Sequence, residues 1–245
     1  MTPARQALVL TLALTALAWA EKALAPWAPY YVVYAGLTTA LPFVFGGLKF
    51  APISRVGWRG WLLVLGTAIG LQALGAVWAG VLYPALLSAG GVPAAAQTGP
   101  MFEFGAAFQR MFEIVGARWH TAPAPLLGLY LGFIFLWAGL GEEVFYRGYL
   151  HERLARSRGF AFGAVVSSAL FAVRHATQFA LLGPEYPWPV VGMWLVLGFA
   201  LGVWMCFLYA RTGSLTVPVL AHYAFNAIPT LLYFLGPGAA AARNG

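Results

Sequence analysis

Seven apolar runs, each close to the ~20 residues a helix needs to cross a bilayer, fill most of this chain of 245 residues. They cover residues 6–24, 30–48, 60–83, 125–152, 159–181, 188–210 and 214–235. In hydrocarbon a backbone must satisfy its own hydrogen bonds, so runs of this length predict helices. Only 9% of the residues are charged and 61% are hydrophobic, whereas soluble domains are about 25% charged. The expected fold class is therefore all-α, a polytopic transmembrane helical bundle of about seven spans. Residues 84–101 read as a Pro/Gly/Ala loop. Beyond it, Phe104, Phe108, Met111, Phe112, Val115 and Trp119 share one helical face, with Glu103, Gln109, Arg110 and Glu113 opposite. That pattern suits an interfacial helix, or an eighth span if 102–119 dips into the bilayer. With no repeat and no composition break, residues 1–245 are expected to form one integral-membrane domain.

The net charge of +7 comes from basic residues scattered through short loops, which argues against a nucleic-acid partner. With the N-terminus in the cytoplasm, that side carries Arg5, Lys49, Arg55, Arg59, Arg153, Arg156, Arg158 and Arg211 against Glu152. The other side carries Lys22, Arg110, Arg118 and Arg243 against Glu21, Glu103, Glu113 and Glu185. Excess positive charge marks the cytoplasmic side, so the N-terminus is expected inside. "ALAWAEK" resembles a signal-peptidase site at Ala18-x-Ala20, but the apolar stretch continues to Leu24, and the first helix is expected to be retained. The Ala/Gly/Arg-rich, lysine-poor composition points to a GC-rich bacterial genome, and the expected location is the bacterial inner (plasma) membrane. Cys206 lies in an apolar run and reads as packing. Trp27, Trp119 and Trp188 sit near span ends, as interface anchors do. Glycines four apart (Gly66/Gly70, Gly128/Gly132, Gly198/Gly202) would let helices approach closely.

Ionisable groups inside a membrane cost about 2.5–3.5 kcal/mol each on insertion scales, so each is a functional hypothesis by default. The fourth run holds Glu142, Glu143 and Arg147, the fifth Arg174 and His175, and the seventh His222 and Asn226. Glu143 and Arg147 are four apart and can pair on one face. Glu142 is turned about 100° away. If the fourth and fifth helices fold about 157–159, Glu142 and His175 fall at nearly equal depth, 16 and 17 residues from Arg158. His222 enters from the same side, so three helices can converge on one polar pocket in the cytoplasmic half of the membrane. A carboxylate beside a histidine can take a proton from water. A second histidine and an asparagine amide can donate to a developing oxyanion. These parts suit hydrolysis of an amide bond. Glu142, His175 and His222 are equally plausible zinc ligands, with the other glutamate as base, and the residues leave both routes open.

"EEVFYR" at 142–147 resembles the EExxxR motif of the CAAX-processing and bacteriocin-immunity (CPBP, or Abi) intramembrane proteases. "FAVRH" at 171–175 resembles their FxxxH motif, and "HYAFN" at 222–226 their HxxxN motif. The three occur in family order and mark about 125–230 as the expected catalytic core. The resemblance implies an intramembrane endopeptidase acting on a membrane-associated protein or peptide in the lipid bilayer. By the same resemblance Glu142 and His175 would activate water, His222 and Asn226 would line the oxyanion site, and Glu143 and Arg147 would support the pocket. The family is described both as metal-dependent and as metal-independent glutamate-type, and the expectation here is the second. Arg174 falls outside the family pattern, and its charge must find another helix face, a carboxylate or water.

Other protease chemistries find no support. The chain has no aspartate, so no aspartyl dyad can form. "HERLA" at 151–155 lacks the second histidine of HExxH. Ser167 and Ser168 read as helix packing, and His120 and His151 as interfacial. Two other classes remain to be weighed. One is a proton- or cation-coupled transporter using the same carboxylates and histidines; the other is a non-catalytic scaffold or immunity protein.

Overall fold

The computed structural model describes residues 2–24, 32–45, 47–89, 91, 123–180 and 188–235. All regular structure among them is helical. Seven rods follow in order: α1 (Pro3–Leu24), α2 (Val32–Phe45), α3 (Trp58–Ala89), α4 (residues 123–158), α5 (Phe160–Ala180), α6 (Trp188–Thr212) and α7 (Thr216–Leu235). Among the described residues five helices are long and apolar enough to cross a membrane; α2 is apolar but shorter. With α7 these rods make a polytopic helical bundle, and the chain is an integral membrane protein. The proposed interfacial helix at 102–119 lies outside the described residues.

Two helices run further than the sequence suggests. The fourth span, expected to stop at 152, continues to Arg158. It ends at Gly159, whose φ of 88° and ψ of 164° suit glycine alone. The third, expected to stop at 83, continues to Ala89, so residues 84–89 of the expected loop are helical. Pro84 lacks an N–H and crowds the carbonyl four residues back. The π turn Trp78–Leu82 lies just ahead of it, and such a turn loosens the ladder where proline would otherwise break it.

The α4 helix sits at the centre. It forms a hairpin with α5 and also packs against α1, α2 and α7, while α6 covers α5 and α3 covers α7. Small residues permit this crowding. A Cβ at Gly139 would lie 3.3 Å from the Val219 carbonyl oxygen of α7, and one at Gly202 would lie 2.7 Å from Ser168 Cβ of α5. The Gly198/Gly202 pair therefore packs as its spacing suggests. Gly66, Gly70, Gly128 and Gly132 do not: an added Cβ there meets nothing described within 4 Å, because those faces turn away from the described helices. On α3, Leu62, Leu65 and Ile69 are exposed, as are Phe133 and Leu136 on α4, as lipid-facing side chains are.

Polar contacts fix the bundle ends. Glu21 of α1 accepts from the amides of Val33 and Tyr34 at 2.8 Å each, capping the start of α2. At the other end the stretch after α2 is tied to the α6–α7 turn. Leu215 N donates to the Lys49 carbonyl at 2.8 Å, and Thr216 Oγ1 to the Ala51 carbonyl at 2.6 Å. Leu215 also packs on Gly148, which sets the depth at which α7 begins beside α4.

Candidate active site

The α4 helix carries its two glutamates at the junction of an α-helical segment, Phe135–Glu143, and a π stretch, Val144–His151. Every residue of that π stretch is buried. Irregular turns of this kind cluster at functional sites. Here the stretch directs Tyr146 to α2, where its hydroxyl meets that of Tyr34 at 2.8 Å.

Glu142, Glu143, Arg147, Arg174 and His222 are all buried, and His175 and Asn226 are partly exposed. The two carboxylates face different partners. Glu143 Oε1 accepts from His222 Nδ1 at 2.8 Å. Glu143 Oε2 lies 3.1 Å from Arg147 Nε, close enough for an ion pair but without the alignment of a hydrogen bond. The Arg147 guanidinium rests on the Phe171 ring, 4.4 Å from its centre. Glu142 Oε1 accepts from Arg174 Nη2. Glu142 Oε2 lies 3.6 Å from His175 Nε2 and 3.8 Å from His222 Nε2. Arg147 of α4, Arg174 and His175 of α5 and His222 of α7 thus meet around one carboxylate pair, at the matched depth that the helix rise implies.

The histidine tautomers follow from their partners. His175 Nδ1 lies 2.9 Å from the Phe171 carbonyl; a carbonyl only accepts, so Nδ1 carries a proton. Nε2 of His175 then accepts from Arg174 Nη2 at 3.1 Å. His222 donates from Nδ1 to Glu143, which leaves its Nε2 facing Glu142. Asn226 follows one turn later on α7, but its side-chain amide makes no hydrogen bond to the cluster.

Arg174 is the residue that motif reading set aside, and the structure puts it at the centre. The signal was present: a charge inside an apolar span whose own helix has no acidic residue. His151 corrects an expectation in the other direction. It is buried rather than interfacial, with its ring edge-on to Phe160 at 5.3 Å, because α4 continues past it to Arg158. His120 lies outside the described residues. Ser167 bonds within α5 and toward Cys206 at 3.5 Å, as packing residues do.

The donor set can be tested against a divalent ion. Zinc bonds of about 2.1 Å in a tetrahedron give ligand separations of about 3.4 Å. Glu142 Oε2 lies 3.6 and 3.8 Å from the two histidine Nε2 atoms, wider than that, and among the described residues no group of three His, Cys, Asp or Glu side chains is arranged to hold an ion. The Arg174 guanidinium also engages His175 Nε2 and pairs with Glu142. As arranged, the site does not fit a metal.

Residues 123–228 match the family model for Rce1-like proteins, the type II CAAX prenyl endopeptidases. A Bacillus subtilis (strain 168) protein named "Putative membrane peptidase YdiL" is 30% identical over 91 residues, 37% of this chain and 32% of that protein. The match thus spans about a third of the length of that curated relative. No solved structure matches the chain. The matched region carries α4, α5, α6 and most of α7, and with them every residue of the cluster. Over this region the chain is thus similar to Rce1-like proteins and to a protein named as a membrane peptidase.

Proposed function

We propose that this protein is an intramembrane endopeptidase that hydrolyses a peptide bond of a membrane-associated protein or peptide with a water activated by Glu142 and His175. The observation that carries this reading is the placement of Glu142 Oε2 between two histidine Nε2 atoms, 3.6 and 3.8 Å away, inside a buried pocket. A water bridging that gap would lose a proton to Glu142 as its oxygen attacks the carbonyl carbon, while His175 Nε2, released from Arg174 Nη2, accepts the water's other hydrogen. His222, held through Nδ1 by Glu143, would serve the oxyanion from Nε2 once that nitrogen also carries a proton, as in the imidazolium, and Asn226 one turn on would add its amide after a rotamer change. The proton then passes to the leaving nitrogen, the C–N bond breaks, and a carboxylate and an amine leave. Glu143 and Arg147 act by holding His222.

Access is from the α5–α7 side, where His175 and Asn226 are partly exposed. The pocket lies about 10 Å below the α6–α7 turn, since His222 is seven residues past Leu215 at ~1.5 Å each. The eight basic residues at that end orient it toward the cytoplasm of a bacterial inner membrane. The substrate bond would then lie near a membrane junction or C-terminal end on the cytoplasmic side. The test is mass spectrometry of a membrane-anchored peptide library incubated with purified wild type and Glu142→Gln. Products found with wild type and missing with the variant support the reading. Equal product patterns, or proton flux in vesicles without any product, sink it.

A further inference from the structure

The far end of α4 carries charges that the hydrolytic reading does not use. A cavity of about 490 Å³ lies there between three helices. Pro3 and Ala4 of α1, Phe45 of α2, and Glu152, Arg153 and Arg156 of α4 line it. It exists because the helices end at different levels. Phe45, the last residue of α2, packs on Tyr149, with ring centres 5.3 Å apart. The α4 helix runs on to Arg158, nine residues and about 13 Å beyond Tyr149. Phe43, Val44 and Phe45 are exposed, so the cavity borders the lipid-facing surface.

The α4 wall of the cavity is basic, and one of its arginines is held in place. The Arg153 guanidinium carbon lies 3.9 Å from the centre of the Tyr149 ring, and Nη1 donates to the Tyr149 carbonyl at 3.3 Å. Among the described residues no carboxylate pairs with Arg153, which leaves its other N–H donors for a ligand. The acid in this wall, Glu152, is shared between two cations. Its Oε1 accepts from Arg156 Nη2 at 2.7 Å and from Lys49 Nζ at 3.4 Å. Lys49, Arg153 and Arg156 against Glu152 leave two positive charges over. The α1 helix starts at Pro3 with no acid in its first turn, so the positive end of its dipole adds to the same field.

We propose that this cavity binds the phosphate of an anionic phospholipid, with Arg153 as the main contact and the acyl chains along the exposed end of α2. An arginine held in advance suits a phosphate oxygen, and basic pockets between spans take lipid headgroups. A zwitterionic headgroup would bring its own cation to the arginines. The bound headgroup fills the step between α1, α2 and α4. This assignment does not depend on the hydrolytic reading.

The experiment is native mass spectrometry of the purified full chain in detergent, titrated separately with phosphatidylglycerol and phosphatidylcholine. Wild type should hold one phosphatidylglycerol in preference to phosphatidylcholine. Arg153→Gln should weaken that binding about fivefold, the worth of one basic residue against an anionic lipid. Glu152→Gln should strengthen it, because Lys49 and Arg156 lose their competing partner; a merely structural role would weaken binding in both. Arg59→Gln, at the same end but outside the cavity, should leave it unchanged. Arg153→Lys keeps the charge without the planar contact on Tyr149. It covers the case in which Arg153→Gln does not fold, and its binding should be intermediate. Equal binding of the two lipids, equal losses in Arg153→Gln and Arg59→Gln, or weaker binding in Glu152→Gln overturns the proposal. Inorganic phosphate should not displace the lipid. Displacement would assign the cavity to the free ion and overturn the lipid assignment.

Discussion

Glu142 and Glu143 are neighbours in the chain, yet one is held by α5 and the other by α7 and its own helix. The difference follows from the ~100° turn between adjacent helical residues. Breaking the second set is expected to cost stability first. Arg147→Ala would leave Glu143 with His222 as its remaining partner in a buried place, and breaking such pairs costs about 3–5 kcal/mol. Thermal unfolding in detergent should show a large fall in Tm, smaller in Arg147→Ala/Glu143→Gln, where no charge is stranded. An equal fall in both would mean that packing on Phe171, not charge, is what Arg147 supplies. At this scale the sequence was readable where rise per residue decides the answer: equal spacing from Arg158 put Glu142 beside His175. It was not readable for Arg174. Turned away from His175 by one helical step, it would face another wall if its side chain were short. An arginine is long enough to return to the carboxylate, and no spacing rule reports that.

The helices meet through small residues, and the spacing of glycines alone does not say which ones. Gly202→Ala should destabilise by about 1–3 kcal/mol through overpacking, because the new Cβ falls 2.7 Å from Ser168 Cβ. A second change, Ser168→Gly, should recover part of that loss. Gly66→Ala has open space and should be neutral or gain up to about 1 kcal/mol from reduced backbone entropy. Matching melting temperatures for the two alanine variants would contradict the packing described. Gly159→Ala tests the α4–α5 hairpin. Its backbone region is closed to alanine, at a cost of about 1–3 kcal/mol, and the strain should also displace His175 relative to Glu142. Helix positions were legible from apolar length, since all seven runs became helices. Helix ends were less so. Arg153, Arg156 and Arg158 looked like loop charges, yet they extend α4. Arg156 pairs with Glu152 at 2.7 Å on the helix surface, and Arg153 lies over the Tyr149 ring at 3.9 Å. Surface charges do not stop a helix once it has left the hydrocarbon.

Across the whole molecule, the basic end and the reactive pocket belong to the same side of the bundle. On the proposed orientation the expected cleavage falls near the cytoplasmic face, and that orientation is testable on its own. In a Cys206→Ala background, cysteines introduced at Lys49 and Arg211 should react with a membrane-impermeant maleimide in inverted vesicles and not in intact cells. Labelling in intact cells would invert the topology and move the substrate to the opposite face. The central claim, that a buried carboxylate between two histidines hydrolyses a peptide bond, is tested most directly by one rate comparison. Cleavage of a membrane-anchored peptide by wild type, Glu142→Gln and His175→Ala should be followed with and without a chelator. The account predicts wild-type turnover that the chelator leaves unchanged, and rates about 100- to 10,000-fold lower in both variants. Variants that cleave at the wild-type rate, or a wild type silenced by the chelator, would contradict it.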